Sequence, residues 1–165
     1  MPLTVGTDTY ITVADATTYL ETMYLSTDTK LVAWKALAEA DHEVLLRKAA
    51  QVIEQLPLVG YKATKTQDMA FPRVTATKTG HTYAWHQSDD IPEAVARAQA
   101  EIAINLTNTN SADSKRIELQ RQGVTSFSLG DLSETYGAGA GVQAAVASHT
   151  ALQLLAPWTG GGYRI

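Results

Sequence analysis

The sequence predicts a mainly α protein: a small helical bundle with a protruding β-hairpin and an extended C-terminal tail. Three observations carry that reading. Apolar residues recur at helical spacing in the first two-thirds of the chain. From Lys115 the pattern changes to period two around the turn Gly130-Asp131. After Glu134 the last 31 residues hold one charged side chain, Arg164, and an apolar stretch of helical length, Val142 to Ala156. A helix without a charged face calls for protein on more than one side, and another subunit or partner is expected to supply part of it.

The elements follow in order. Val5 to Val13 is Thr-rich and reads as an extended lead-in. Thr12 and Asp15 have the spacing of a capping box, with Asp in place of Glu. They open a helix to about Leu25 with Ala16, Tyr19, Leu20 and Met23 on one face, and Ser26-Thr27-Asp28 ends it. A short helix is expected near Leu31 to Leu37, anchored by Trp34. The next shows the clearest period, with Leu45, Ala49, Val52 and Leu56 on its inner face and Pro57 and Gly60 as its stop. Residues 58–90 read as a long irregular connection with a strand-like patch at Met69 to Arg73. Asp89-Asp90-Ile91-Pro92-Glu93 marks a helix start, with acids at the positive dipole end and proline in the first turn. That helix presents Ile91, Val95, Ala98, Ile102 and Leu106 inward. Ile117, Leu119, Phe127 and Leu129 then alternate, Leu132 to Tyr136 returns, and Gly137 to Gly141 links the hairpin to the uncharged helix. Residues 1–159 are expected to form one domain, with the hairpin at 115–136 and a flexible docking tail at 160–165.

Composition narrows the chemistry. A chain of 165 residues can bury a core of its own. The absence of cysteine excludes disulfides and thiolate metal sites. No apolar run reaches the roughly 18 residues of a membrane span, and the start lacks the pattern of a signal peptide, so the default expectation is a protein made in a cytosol. The net charge of −4 is unevenly placed: residues 1–59 hold eight acids against four bases, and residues 60–165 hold nine of each. There is no dense basic stripe for a tight sequence-independent grip on nucleic acid. Gly137 to Val142 lacks the third glycine of a dinucleotide fingerprint, and no Gly-Lys-Ser/Thr follows a glycine run. The four histidines, His42, His81, His86 and His149, form no His-x-x-x-His pair on an expected helix. No serine sits in a nucleophile elbow. The chain therefore reads as a non-enzyme with no cofactor and no metal. Residues 61–86, with Tyr61, Lys62, Lys65, Phe71, Arg73, Lys78, Tyr83 and Trp85, come closest to the interleaved bases and aromatics of a single-strand binder. The plainer reading is a loop packed on the bundle with its lysines in water.

Four stretches, in this order, resemble the tailed-phage head-to-tail connector (adaptor) proteins, including the branch labelled DnaT-like. They are Leu3 to Leu20; Ala49 to Leu56 with Gly60 and Gln67-Asp-Met-Ala-Phe-Pro-Arg73; Ile91 to Val95 with its helix; and Gly123-Val124 to Tyr136 followed by the apolar helix and glycine-containing tail. Val74 to Ser88 has no counterpart in that pattern. The resemblance implies a virion protein of the phage neck, made in the host cytoplasm. It would form a homo-oligomeric ring, dodecameric to match a portal, beneath the portal protein. The ring would join the portal to the downstream neck or tail-completion protein, with genome DNA passing through the lumen without tight specific binding and no membrane involved. Trp158, Gly160, Gly161, Gly162, Tyr163, Arg164 and Ile165 are the candidate portal-docking tail. Val124, Phe127, Leu129, Gly130, Asp131, Leu132 and Tyr136 are the candidate contact with a neighbouring subunit or the next neck protein. Phe71, Pro72 and Arg73 are expected to anchor the long loop, Arg73 through an ion pair within or between subunits. The alternative function is a single-stranded-DNA-binding replication accessory of the kind the DnaT-like label names.

Overall fold

The computed structural model describes residues 2–79, 82–87, 90–107, 126–129, 132–135, 146 and 148–159. Within them the fold is mainly helical, with two small antiparallel sheets. The helices are α1 (Val13–Met23), α2 (Thr29–Lys35), α3 (Glu39–Glu54), α4 (Glu93–Leu106) and α5 (His149–Leu155). One sheet has three strands in the order β1 (Tyr61–Lys62), β2 (Arg73–Thr79), β3 (Thr82–Gln87). A separate two-stranded sheet pairs β4 (Ser126–Leu129) with β5 (Leu132–Thr135).

Helix α4 is the axis of the bundle. Helices α1, α2, α3 and α5 all pack on it, and Val95, Ala98, Gln99, Ala100, Glu101, Ile102, Ala103 and Ile104 are buried. The expected face of α4 is therefore correct, but burial extends around the helix from residue 98. Its many alanines and lack of long exposed side chains there let four neighbours approach. Pro92 is the N-cap rather than the first helical residue, and its carbonyl accepts from Val95 N (2.9 Å) and Ala96 N (3.3 Å).

The cap of α1 follows the sequence expectation. Thr12 is the N-cap and accepts from Asp15 N at 3.1 Å, while its hydroxyl donates to Asp15 Oδ2. Ala16 and Leu20 are buried, but Met23 is 54 % exposed because the helix ends there as the chain turns away. Trp34 of α2 is fully buried and donates from Nε1 to Thr17 Oγ1 at 3.1 Å. In α3 the inner stripe is Leu46, Ala49, Ala50 and Ile53. The expected stripe was turned by part of a residue: Leu45 and Val52 flank the core instead of forming its centre. An apolar residue on either side of a buried face satisfies the same spacing, so periodicity alone did not separate them.

Residues 58–90 are not an irregular connection. They contain the three-stranded sheet, with β2 and β3 in register from Val74↔Gln87 to Thr79↔Thr82. The β-branched and aromatic residues Val74, Thr75, Thr77, Thr79, Thr82, Tyr83 and Trp85 favour extended chain. Of the hairpin expected at 115–136, the described strands 126–129 and 132–135 pair antiparallel, with Leu129 opposite Leu132. Val124, Gly130, Asp131 and Tyr136 lie outside the described residues, as do most of 108–145 and the tail Gly160 to Ile165.

The uncharged segment near the chain's end finds much of its protein cover within this chain. Helix α5 packs along α4, and Val146, Ala151 and Leu155 are fully buried. Ser148 caps it by accepting from Ala151 N, and its outer positions His149, Thr150 and Gln153 are polar without charge. After α5 the chain is stitched to the residues following α3: Val59 N donates to Trp158 O at 2.7 Å, and Leu58 bridges Thr159.

Candidate nucleic-acid interface

The β1–β3 sheet collects the chain's local excess of positive charge. Residues 61–87 carry Lys62, Lys65, Arg73 and Lys78 against the single acid Asp68, in a chain whose net charge is −4. Around the helices the balance is reversed, with Asp15, Glu21, Glu39, Asp41 and Glu93 all exposed.

The base of the sheet is fixed to the bundle by a compact set of contacts. Phe71 is 1 % exposed and stands edge-on to Tyr10 (5.7 Å between ring centres) and to Trp158 (5.5 Å). The Phe71–Pro72 peptide bond is cis. Trp158 is thus half-buried against the loop anchor, whereas the other candidate docking residues, 160–165, lie outside the described residues. Arg73 is the most heavily used cation. Its guanidinium donates to the carbonyls of Val59 (3.0 Å), Ala70 (3.2 Å), Leu58 (3.3 Å) and Gly60 (2.8 Å). Within the chain its bonds go to carbonyls, three of them in residues 58–60 after α3 and the fourth at Ala70. Burial lowers the Arg73 pKa from its ordinary value, partly offset by the charge of Glu54 and the Tyr10 hydroxyl. Gly60 is required here. Its φ is +78°, and a Cβ at this position would lie 2.0 Å from Val74 O.

Beyond this root the loop between β1 and β2 is tied to itself. Gln67 Nε2 donates to Met69 O and Pro72 O, and Gln67 Oε1 accepts from Thr64 N. Lys62 Nζ donates to Asp68 O at 2.8 Å. Lys62 and Lys65 remain exposed, and Tyr61 is 57 % exposed. The register of the hairpin sets Lys78 opposite Tyr83, Ala76 opposite Trp85 and Thr75 opposite His86. The pairing thus sets Lys78 beside Tyr83 in a sheet rooted on the bundle.

A second set of polar residues, missed in the sequence reading, holds the bundle together. Gln99 is fully buried. It accepts from Tyr10 N (2.7 Å) and donates to Thr9 Oγ1 and Leu46 O (both 2.8 Å), clasping the N-terminal arm to α3 and α4. Glu101, 2 % exposed, accepts from the hydroxyls of Tyr19 (3.2 Å) and Tyr24 (2.7 Å). Burial and the Glu101 carboxylate push the Tyr19 hydroxyl up to about 12 and that of Tyr24 upward as well. Burial likewise raises Tyr10, whose hydroxyl donates to Glu54. The available signal was Gln99 and Glu101 themselves, polar residues within an otherwise small and apolar run of α4. Among the described residues no group of three or more His, Cys, Asp or Glu side chains gathers for a metal, and no helix is long and apolar enough to cross a membrane.

These features define a mainly helical domain that carries a basic antiparallel sheet on an acidic bundle. A family model described as "Putative DnaT-like ssDNA binding protein" matches residues 2–165, and the chain belongs to that family. No curated protein and no solved structure matches it.

Proposed function

We propose that the chain binds single-stranded DNA through the β1–β3 sheet. The observation that carries this reading is the β2–β3 register, which places Lys78 opposite Tyr83 with Trp85 two residues along the same strand. The local cation excess and the family's description support it. Lys65 and Lys78 would meet the phosphates, and bases would stack on the aromatic residues of the sheet. The acidic bundle would repel the strand elsewhere and so restrict contact to this face.

Fluorescence anisotropy with a labelled oligo-thymidine tests the proposal. Two phosphate contacts on a single strand predict a slope of log K against log salt of about −1.4. Trp85→Ala should weaken binding by about 5–100-fold, the worth of one stacked base. The reading fails if no binding is seen at low salt, or if Trp85→Ala and Lys78→Ala both bind as the parent does.

A second reading is favoured by the β4–β5 ribbon. It forms its own two-stranded sheet, and such a ribbon is marginal in water without an adjoining surface. A head-to-tail connector would provide that surface through ring neighbours or through the portal and next neck protein, placing the chain in the virion neck. This reading predicts weak or absent oligonucleotide binding together with co-purification with portal or neck assemblies. The opposite pair of results favours the replication accessory.

A further inference from the structure

The β1–β3 sheet ends on two edges that differ in kind. On one side β1 covers only Arg73 and Val74 of β2, and the length of β2 beyond it carries Lys78. A two-residue strand and a lysine both discourage a further strand. On the other side β3 is the terminal strand. It runs over six residues, Thr82–Gln87, with no Lys, Arg, Asp or Glu, no proline and no glycine. Among the described residues no strand pairs with its outer edge. In an antiparallel ladder every second residue turns its N–H and C=O away from the neighbour it already has. The outer side of β3 therefore presents a row of backbone donors and acceptors that an extended strand matches bond for bond.

We infer that the outer edge of β3 pairs with β3 of a second copy of this chain, antiparallel about a two-fold axis, joining two three-stranded sheets into one of six strands. Charge selects a second copy over an unrelated strand. An uncharged strand gains nothing from a charged partner and meets no like charge in its own copy. Register selects it too. Opposed residues must turn their backbone groups the same way, so a symmetric pair is centred on a residue and not between two. Ala84 is the central residue that suits the axis, because opposed Cα atoms approach to about 4.5–5.5 Å and alanine is the smallest residue of the strand. With Ala84 opposite its own copy, Tyr83 stands opposite the partner's Trp85 and Trp85 opposite the partner's Tyr83. A favourable aromatic pair is thereby made twice. The pairing uses the edge of both copies, so it closes at two chains. It concerns the edge of the sheet and does not rest on DNA binding.

Sedimentation equilibrium of the unaltered chain, without nucleic acid, should show monomer and dimer alone. Monomer throughout a concentration series overturns the inference, as do species larger than the dimer. Residues 61–87 hold four bases and one acid, so the dimer brings two positive regions together. It should hold or tighten as salt rises, whereas a complex with DNA weakens, and the two readings can therefore fail separately. The chain has no cysteine, so a single introduced thiol reports the register. Under mild oxidation Ala84→Cys should give a disulfide-linked dimer, because the opposed Cα atoms fall within the span of about 4.4–6.8 Å that a disulfide bridges. Thr82→Cys should not, since in this register the two copies of that position lie about 14 Å apart. Equal cross-linking at both positions, or none at either, overturns the inference. Ala84→Lys and Ala84→Asp each oppose like charges at the axis and should weaken the dimer about twofold to fivefold, and mixing the two variants should restore it. A variant that merely disturbs the hairpin is not rescued by mixing, so weakening that persists in the mixture overturns the inference as well.

Discussion

The helical bundle and the β1–β3 sheet treat their polar groups in opposite ways. In the bundle the polar side chains that matter are inside and mutually paired: Gln99 with the N-terminal arm, Glu101 with Tyr19 and Tyr24. In the sheet Arg73 is spent at the root, while Lys62, Lys65 and Tyr61 stand at the surface. Burial specifies the first region. The second is joined to the bundle by a few bonds at its root. A change inside the bundle should therefore cost global stability, and a change at the root of the sheet should act locally.

The largest expected effect is Ile53→Asp. Ile53 is fully buried on α3, and an unpaired carboxylate there should destabilise the fold by about 4 kcal/mol or more, enough to abolish a cooperative thermal transition. Val52→Asp, one residue earlier on the partly exposed flank, should leave a folded protein that melts at a lower temperature. Circular dichroism melts distinguish the two, and a reversed order would show that α3 is rotated from the position described.

Arg73→Ala comes next. It deprives four carbonyls of a shared charged donor and should cost about 2–3 kcal/mol. Because the four oxygens belong to residues 58–60 and 70, the loss should be confined to the sheet. Hydrogen exchange should accelerate for amides of residues 61–79 and stay unchanged for the buried half of α4. Uniform acceleration through both regions would mean that sheet and bundle unfold as one unit. Arg73→Lys should not rescue the sheet, since a single ammonium cannot reach four converging carbonyls.

The same contrast explains what the sequence disclosed. Helices α1, α2 and α4 were legible because capping chemistry at Thr12 and the spacing of Val95, Ala98 and Ile102 are local signals. The β4–β5 pairing was legible because the sequence alternates apolar residues on either side of the turn signal Gly130-Asp131. The β1–β3 sheet was hidden because Phe71-Pro72, directly before β2, reads as a corner, and β1 has only two residues. The bonds that create it run from Arg73 to carbonyls 13 to 15 residues away. The residues of the candidate interface were named, but their pairing was not, because register is a property of the folded hairpin. Helix α5 shows the converse: its lack of charge was visible, but the surface that covers it is α4 of the same chain, which no local pattern could indicate.

The smallest expected effect concerns the tyrosines that grip Glu101. Burial first, and the nearby carboxylate second, raise the hydroxyl pKa of Tyr19 and Tyr24 above the ordinary value near 10. The folded state therefore retains protons that the unfolded chain releases. A raised folded pKa contributes stability that is fully present below about pH 10. That stability is lost as the pH climbs from there through about 12, where Tyr19 titrates in the fold. The melting temperature should fall across this window. The informative quantity is the difference between the parent and Tyr19→Phe/Tyr24→Phe. The double variant should begin less stable at pH 8, having lost two bonds to a buried carboxylate, and should then decline less steeply. Parallel declines would place the Glu101 carboxylate away from both hydroxyls and remove the clamp that, with Gln99, distinguishes the interior of the bundle from the surface of the sheet.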